Sequence, residues 1–418
     1  MIRWITENIG TGAYDDVSMQ TNIHIVDVRD MVDKKGNTDK VAKEKIQEAL
    51  SHLTKGEKVV ICCDYGMSRS NAVAAGVMSR STHLSFNEAV RKVMHATGEK
   101  AIKVEVLSSV RKALERNMDT TINKNSISCK RILVTGSSGD IGTALIPKLR
   151  LHHEILAPTR DDIDLIKGSV DLDLMVKEQG IDTIVHLANP RVYSNNQAMG
   201  ETLIMLKNVL DVCAENRVKL VYPSDWEIYS GYRSEFLLAS EVLPAFPKGP
   251  YGEAKYICEI LLDHYQCQYG IACVIIRSSP IYGTGNKPKF IYNFLKKAIH
   301  NEEIITHKYL NGFPSLDLLH IDDFISAMVA AIEGNYNGTF NVGSGKGIST
   351  TEVAQIVVKI LGSNSIIKHQ EINDFAPNVI MDSNLAKITF GWQPKINSDE
   401  GISKVVDKFI KCFQYNNT

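Results

Sequence analysis

Several things this chain lacks narrow what it can be. Its eight cysteines are scattered over 418 residues with no C-x-x-C pair, so neither a disulfide framework nor a structural zinc site is expected. No apolar run is long enough to span a bilayer. Met1-Ile2-Arg3-Trp4 leads into polar and acidic residues rather than the apolar core of an export signal. Together these absences point to the reduced cytoplasm. A formal net charge of -1 leaves no overall excess of positive charge for nucleic acid or an anionic membrane. Internal repeats and low-complexity tracts are missing too. What remains is ordinary globular material, 44% apolar and 23% charged. At this length two domains are expected.

The chain is organised around Lys130-Arg131-Ile132-Leu133-Val134-Thr135-Gly136-Ser137-Ser138-Gly139-Asp140-Ile141-Gly142. Ile132 to Val134 form the continuous apolar run of a parallel strand covered on both faces. Gly136 permits a tight turn, Gly139 allows the backbone to approach a pyrophosphate, and Gly142 allows close helix–strand packing. A helix expected from about Thr143 would aim its N-terminal amides at the phosphates. The spacing is G-x-x-G-x-x-G, a dinucleotide-binding turn. Strand and helix then alternate, as in a doubly wound sheet. Strands are expected at His153 to Ala157, Asp182 to Ala188 and Lys219 to Tyr222. The second strand exits through Pro158-Thr159-Arg160-Asp161-Asp162. An acidic residue here would hold a ribose 2′-hydroxyl and an arginine a 2′-phosphate. Arg160 comes first, so the cofactor is read as NAD or NADP, with NADP preferred.

Tyr251-Gly252-Glu253-Ala254-Lys255 spaces a tyrosine and a lysine four apart, on one helix face. Free tyrosine, with a pKa near 10, is a poor acid or base at neutral pH. An adjacent ammonium favours the phenolate and tunes the group for proton transfer.

This second segment, Lys130 to Gln414, resembles the extended short-chain dehydrogenase/reductases of the NAD(P)-dependent sugar epimerase/dehydratase group. The likeness rests on Gly136/Gly139/Gly142, His186-Leu187-Ala188, Tyr222 to Tyr229, Tyr251/Lys255, Arg277 through Tyr282-Gly283, His320-Ile321-Asp322-Asp323 and Asn341 to Gly345. The resemblance implies Tyr251 as acid/base and Lys255 as holder of the nicotinamide ribose. It implies cofactor contacts from Gly136, Ser138, Gly139, Asp140, Ile141, Gly142, Arg160, Leu187 and Ala188. A nucleotide-linked sugar would occupy a small C-terminal substrate lobe beyond about Ser278, and pairing of two copies through this domain's helices is the family habit. One position departs from the pattern. The family carries Ser or Thr where Asp225 stands in Pro223-Ser224-Asp225-Trp226-Glu227. Either Ser224 shifts into the role or Asp225 acts as an acceptor. Trp226, where 4,6-dehydratases carry Asp, argues against that activity. Thr159-Arg160-Asp161-Asp162 resembles the reductive epimerases that make deoxysugars.

The first segment carries a different chemistry. Trp4-Ile5 and Gly10-Thr11-Gly12 read as an opening strand and turn, Asn22 to Val28 as a strand, Lys40 to Leu53 as a helix, and Lys58 to Cys62 as a buried strand. That strand runs into Cys63-Asp64-Tyr65-Gly66-Met67-Ser68-Arg69-Ser70, followed by a small-residue helix from Asn71 to Met78. A cysteine and an arginine so spaced between strand and helix make a phosphate cradle. Loop amides would lower the Cys63 pKa and yield a nucleophilic thiolate. Arg69 can hold a phosphoryl group bidentately. Ser70 can donate to the sulfur.

This segment resembles the dual-specificity cysteine phosphatases, in the C-x5-R-S loop, the opening strand and a helix start at Leu84-Ser85-Phe86-Asn87-Glu88. The resemblance implies an aspartate general acid about thirty residues before the cysteine: Asp30, with Asp33 and Asp27 behind it. The family places histidine just before the nucleophile; here Cys62 stands there. Asp64 and the absence of lysine in the loop make a densely phosphorylated inositol lipid an unsuitable substrate.

The whole is read as a small cysteine-phosphatase α/β domain (1–117), a polar linker (118–129) and a Rossmann-type doubly wound domain (130–418). The expected function is bifunctional: phosphomonoester hydrolysis, and epimerisation or reduction of a nucleotide-linked sugar. The alternatives are a phosphate-binding module without turnover and an NAD(P)-binding sensor disabled at Asp225.

Overall fold

A computed structural model describes residues 2–32, 39–82, 86–99, 102–115, 129–190, 195–283 and 290–415. Asp33, Leu84, Ser85 and the linker residues 118–128 lie outside them. The chain divides into two compact units, Met1–Asn125 and Ser126–Thr418. No helix among the described residues is long and apolar enough to cross a membrane.

The first unit has strands β1 (Arg3–Trp4), β2 (Ile9–Ala13), β3 (His24–Asp27) and β4 (Val59–Cys63), in the sheet order β1-β2-β4-β3. β2 and β3 both run parallel to β4, and β1 is antiparallel to β2. The helices are α1 (Tyr14–Val17), α2 (Asp39–Leu53), α3 (Ser68–Thr82), α4 (Phe86–Thr97) and α5 (Val104–Glu115). β4 is buried throughout, which explains its unbroken apolar run. Its alternation assigns neighbours to opposite faces. Val59, Ile61 and Cys63 join the core built with Ala72 to Met78 of α3. Val60 and Cys62 pack with Val17, Tyr14 and Ile25 on the other face. Gly10-Thr11-Gly12, expected as a turn, lies inside β2 instead. A Cβ on Gly10 would sit 3.0 Å from Ile2 and 3.1 Å from Trp4, so the glycine serves a close packing contact rather than a bend.

The second unit is built on six parallel strands: β5 (Arg131–Thr135), β6 (Glu154–Leu156), β7 (Thr183–His186), β8 (Lys219–Asp225), β9 (Cys273–Ser278) and β10 (Gly338–Val342). Their order is β10-β9-β8-β7-β5-β6. Connections leave β5 in both directions, so the strand order reverses beside it and opens a crevice at the carboxyl ends of β5 and β7. Alternation along β5 sends Leu133 to one face, against Leu172, Leu206 and Leu262. Ile132 and Val134 go to the other, against Leu145, Phe324 and Met328. Helices α6 (Asp140–Leu149), α7 (Val170–Gln179), α8 (Asn196–Asn216) and α9 (Pro250–Tyr269) follow in chain order. A smaller lobe follows Ser278. Its core joins Tyr282, Leu295, Ile304, Val357 and Val406.

The order of these helices and strands follows the sequence expectation. Helix α6 begins at Asp140, earlier than the expected Thr143. Gly139 is its extended N-cap, so the turn between strand and helix is shorter than the glycine spacing suggested.

Candidate active sites

In the second unit, the glycine turn is shaped by close approach. Gly136 has φ +67, and a Cβ there would lie 2.6 Å from the amide nitrogen of Ala188. A side chain would therefore push β5's exit away from β7's. On Gly142 a Cβ would meet the Ser137 carbonyl oxygen at 2.5 Å, whereas on Gly139 the nearest atom is 3.3 Å away. The two tight glycines set the packing, and the roomier one leaves backbone open at the α6 N-terminus. Ser138, Asp140 and Ile141 flank it, and the amides of the first helical turn have no intrahelical acceptor. Amides at a helix N-terminus of this kind are suited to an anionic group. Thr135 and His186 share a 2.8 Å hydrogen bond, and the Ala188 amide donates to Thr135 Oγ1 at 3.3 Å. This pins the strand ends that present Leu187 and Ala188. Burial, reinforced by nearby Lys255, depresses the His186 pKa to about 3 and keeps the ring neutral.

Arg160 lies beyond β6, exposed, with its guanidinium 3.7 Å from Asp164. It lines a cavity of about 420 Å³ with Asp161, Asp162 and Lys167. Aspartates surround the one arginine, which does not make this a phosphate site by itself.

Tyr251 and Lys255 stand one turn apart at the start of α9, after Gly249 and Pro250 set its first turn. The Lys255 ammonium is buried. It donates to the Pro223 carbonyl at 2.9 Å and to the Tyr222 hydroxyl at 3.3 Å, and lies 5.7 Å from the centre of the Tyr251 ring. Burial lowers its pKa, partly offset by the charges of Asp225 and Glu259. The Tyr251 hydroxyl donates to Asp225 Oδ2 at 3.5 Å. Asp225 Oδ1 accepts the Glu227 amide at 3.0 Å. Glu227 is pushed up to about 7, by burial first and then by the Asp225 charge.

Ser224 is placed differently. Its hydroxyl donates to Glu259 Oε1 at 2.5 Å, inside a buried network. There Arg277 grips the same carboxylate at 2.6 and 3.1 Å and reaches Tyr229 at 2.5 Å. Glu259 was not singled out in the sequence. Its position four residues after Lys255, on the same helical face, was the signal available.

In the first unit, Cys63 ends β4 and Ser68 opens α3, so the loop joins a buried strand to a helix N-terminus. Gly66, at φ +64, comes so close to β2 that a Cβ would lie 2.3 Å from Gly12. Arg3 holds the Gly66 carbonyl. Cys63 Sγ and Ser70 Oγ are 3.5 Å apart. Burial acts to raise the thiol pKa, but the Ser70 hydroxyl and the amides of Ser70, Met67 and Tyr65 stabilise the thiolate, and the net shift is downward. Arg69 is buried. It donates to the Met31 carbonyl at 2.8 Å and the Arg29 carbonyl at 3.3 Å and forms an ion pair with Asp64. Asp30 is half exposed and paired with Lys45 at 3.3 Å. Asp27 is held by Arg29 at 2.8 Å. Cys62, on the opposite face of the sheet, has its thiol pushed up to about 12, mainly by burial.

The second unit also matches known proteins. Residues 132–343, just over half of the chain, match the NAD dependent epimerase/dehydratase family. UDP-glucuronic acid decarboxylase 1 of Xenopus tropicalis is 25% identical over 316 residues, which cover 68% of this chain and 73% of that protein. GDP-L-fucose synthase of Sinorhizobium fredii is 27% identical over 303 residues, 67% of this chain and 96% of that protein. The structure of Thermus thermophilus UDP-glucose 4-epimerase in complex with NAD aligns with a TM-score of 0.60 at 23% identity, over 67% of this chain and 99% of the other. That likeness shows the shared Rossmann-like fold.

Proposed function

We propose that this chain, which belongs to the NAD dependent epimerase/dehydratase family, epimerises or reduces a nucleotide-linked sugar in its second unit. The observation that carries this reading is Tyr251 one turn from a buried Lys255, which bonds Tyr222, whose ring stacks on His186 at the end of β7, the strand that the Gly136 turn approaches. Backbone around Gly136, Ser138, Gly139, Asp140, Ile141 and Gly142 would hold a dinucleotide pyrophosphate. Leu187 and Ala188 would line the path to the nicotinamide, and Lys255 would hold its ribose. Once bound, the nicotinamide supplies hydride acceptor or donor chemistry. Tyr251 handles the proton at the reacting oxygen. Lys255 fixes the strand end through Pro223, and its positive charge favours the ionised tyrosine. The preference for NADP read from Arg160 is weakened, because a 2′-phosphate there would face Asp161, Asp162 and Asp164. NAD fits this acid-rich exit better. Nucleotide recovered from the purified protein, followed by a panel of sugar nucleotides, tests the reading. Bound NAD with isomerised sugar, or NADH consumed by a keto-sugar, supports it. A protein that binds neither nucleotide overturns it.

For the first unit we propose a cysteine-dependent phosphomonoesterase, its domain spanning 1–117 with a linker over 118–129. The stabilised Cys63 thiolate would attack phosphorus, forming an S–P bond as the P–O bond breaks. Arg69 would hold the equatorial oxygens, Asp30 would protonate the leaving alcohol, and Ser70 would donate to the sulfur when water releases phosphate. A second reading, phosphate binding without turnover, is favoured by one observation: Asp64 already occupies Arg69. Steady phosphate release from an aryl phosphate, abolished in Cys63→Ser, supports hydrolysis. Phosphate bound without release supports the second reading.

A further inference from the structure

The end of β8 delivers a carboxylate to the tyrosine, and the neighbouring hydroxyl is not available to replace it. Ser224 Oγ is committed to Glu259 at 2.5 Å, and that carboxylate is in turn clamped by Arg277 in a buried network. Asp225 Oδ2 is the oxygen 3.5 Å from the Tyr251 hydroxyl. Among the described residues, charged and titratable groups near the pair include Tyr222 on β8, whose hydroxyl accepts from Lys255. Glu227 follows Asp225 in the turn after β8, Lys255 lies on α9, and His186 of β7 is buried and neutral. The Lys255 ammonium is the group that would favour a phenolate, and it is shared with the Pro223 carbonyl and the Tyr222 hydroxyl.

An ionised carboxylate accepts hydrogen bonds and gives none. A phenol beside it is stabilised as donor, while a phenolate beside it meets like charge. We propose that Asp225 holds Tyr251 in its neutral, proton-donating form, so that the site runs as a reductase on the keto form of a nucleotide-linked sugar. This rests on the function proposed for the second unit. In the step, the carbonyl carbon receives the hydride that a reduced nicotinamide dinucleotide supplies. The carbonyl oxygen takes the Tyr251 proton, and the C=O bond becomes C–OH. The phenolate left behind, disfavoured by Asp225, regains a proton from solvent. Ketone, hydride and proton together make the secondary alcohol.

The test is a pH titration of the full chain carrying 13Cζ-tyrosine, with Tyr251→Phe identifying one resonance among the 15 tyrosines. Asp225→Thr and the near-isosteric Asp225→Asn should each move the Tyr251 transition to lower pH by about one unit or more. Alongside it, NADH binding is followed by its fluorescence, and wild type is assayed at pH 7 with NADH and UDP-4-keto-6-deoxyglucose. The expected results are NADH bound, the keto-sugar reduced, and NAD-dependent oxidation of UDP-glucose slower. NADH bound with a Tyr251 transition identical in all three proteins overturns the role of Asp225, as does faster oxidation than reduction. Failure to bind NADH at all counts against the proposed function itself.

Discussion

The Cys63 loop and the Tyr251 site are assembled differently. Cys63 ends a buried parallel strand that leads directly into a helix, whereas Tyr251 stands in the first turn of α9, a helix that begins 25 residues after β8 ends and packs back beside that strand's carboxyl end. In each an aspartate stands close to the reactive machinery: Asp64 against Arg69, and Asp225 against Tyr251. At Cys63 the surrounding donors are backbone amides and a hydroxyl, which favour the anion and bring the thiol pKa down despite burial. At Tyr251 a carboxylate oxygen of Asp225 lies 3.5 Å from the hydroxyl, and on the role proposed for it that anion would favour the proton. On the proposed roles, the charge gathered at each site would favour a nucleophilic anion at Cys63 and a protonated group at Tyr251.

The two sites also differ in what holds them. The Cys63 loop is set by backbone packing, with Gly66 pressed against Gly12. The Tyr251 site is held by buried side chains. Glu259→Gln should therefore have the largest effect here, because it removes the ion-paired carboxylate of the buried Arg277 guanidinium and leaves only the more weakly coupled Glu241 nearby. A loss of about 3–5 kcal/mol is expected in urea unfolding of the second unit. A loss below about 1 kcal/mol would mean that the strand end is held by something else.

A smaller effect sharpens the electrostatic half of the comparison. Asp64→Asn removes the carboxylate paired with Arg69, which keeps its hydrogen bonds to the Met31 and Arg29 carbonyls, and should tighten tungstate binding to the full chain by about tenfold if the loop binds anions as proposed. Equal affinity in the two proteins would make Asp64 a bystander. A further prediction concerns Glu227, whose folded-state pKa is raised from 4.5 to about 7. The folded state then holds the extra proton between those values, so this residue's contribution to stability falls as pH rises from about 4.5 through about 7. Glu227→Gln should flatten that part of the stability–pH curve. An unchanged slope would show that burial does not perturb the group.

Much of this was legible from local pattern. The apolar runs of β4, β5 and β7, the amphipathic α2, and the alternation of strand and helix after Lys130 all announce themselves, because a two-sided parallel sheet demands them. Gly10 to Gly12 misled, because a glycine pair in a strand looks like a turn until the neighbouring side chains are in place. The start of α6 was placed late because a helix boundary depends on one residue's backbone, which spacing does not fix. Glu259 was passed over because its importance comes from Arg277, which reaches it from β9.

The sequence by itself determined which residues could do chemistry: a tyrosine and a lysine on one helical face, a cysteine and an arginine framing a loop, and glycines where backbone must come close. These are short-range properties of spacing and residue type. Only the tertiary structure decided which oxygen Tyr251 meets. Ser224 and Asp225 are neighbours in the chain, but the strand alternates their side chains. Glu259 and Arg277 then capture one, and the other is left facing the tyrosine. In the first unit, the same alternation put Cys63 on the face packed against α3 and Cys62 on the far face of the sheet.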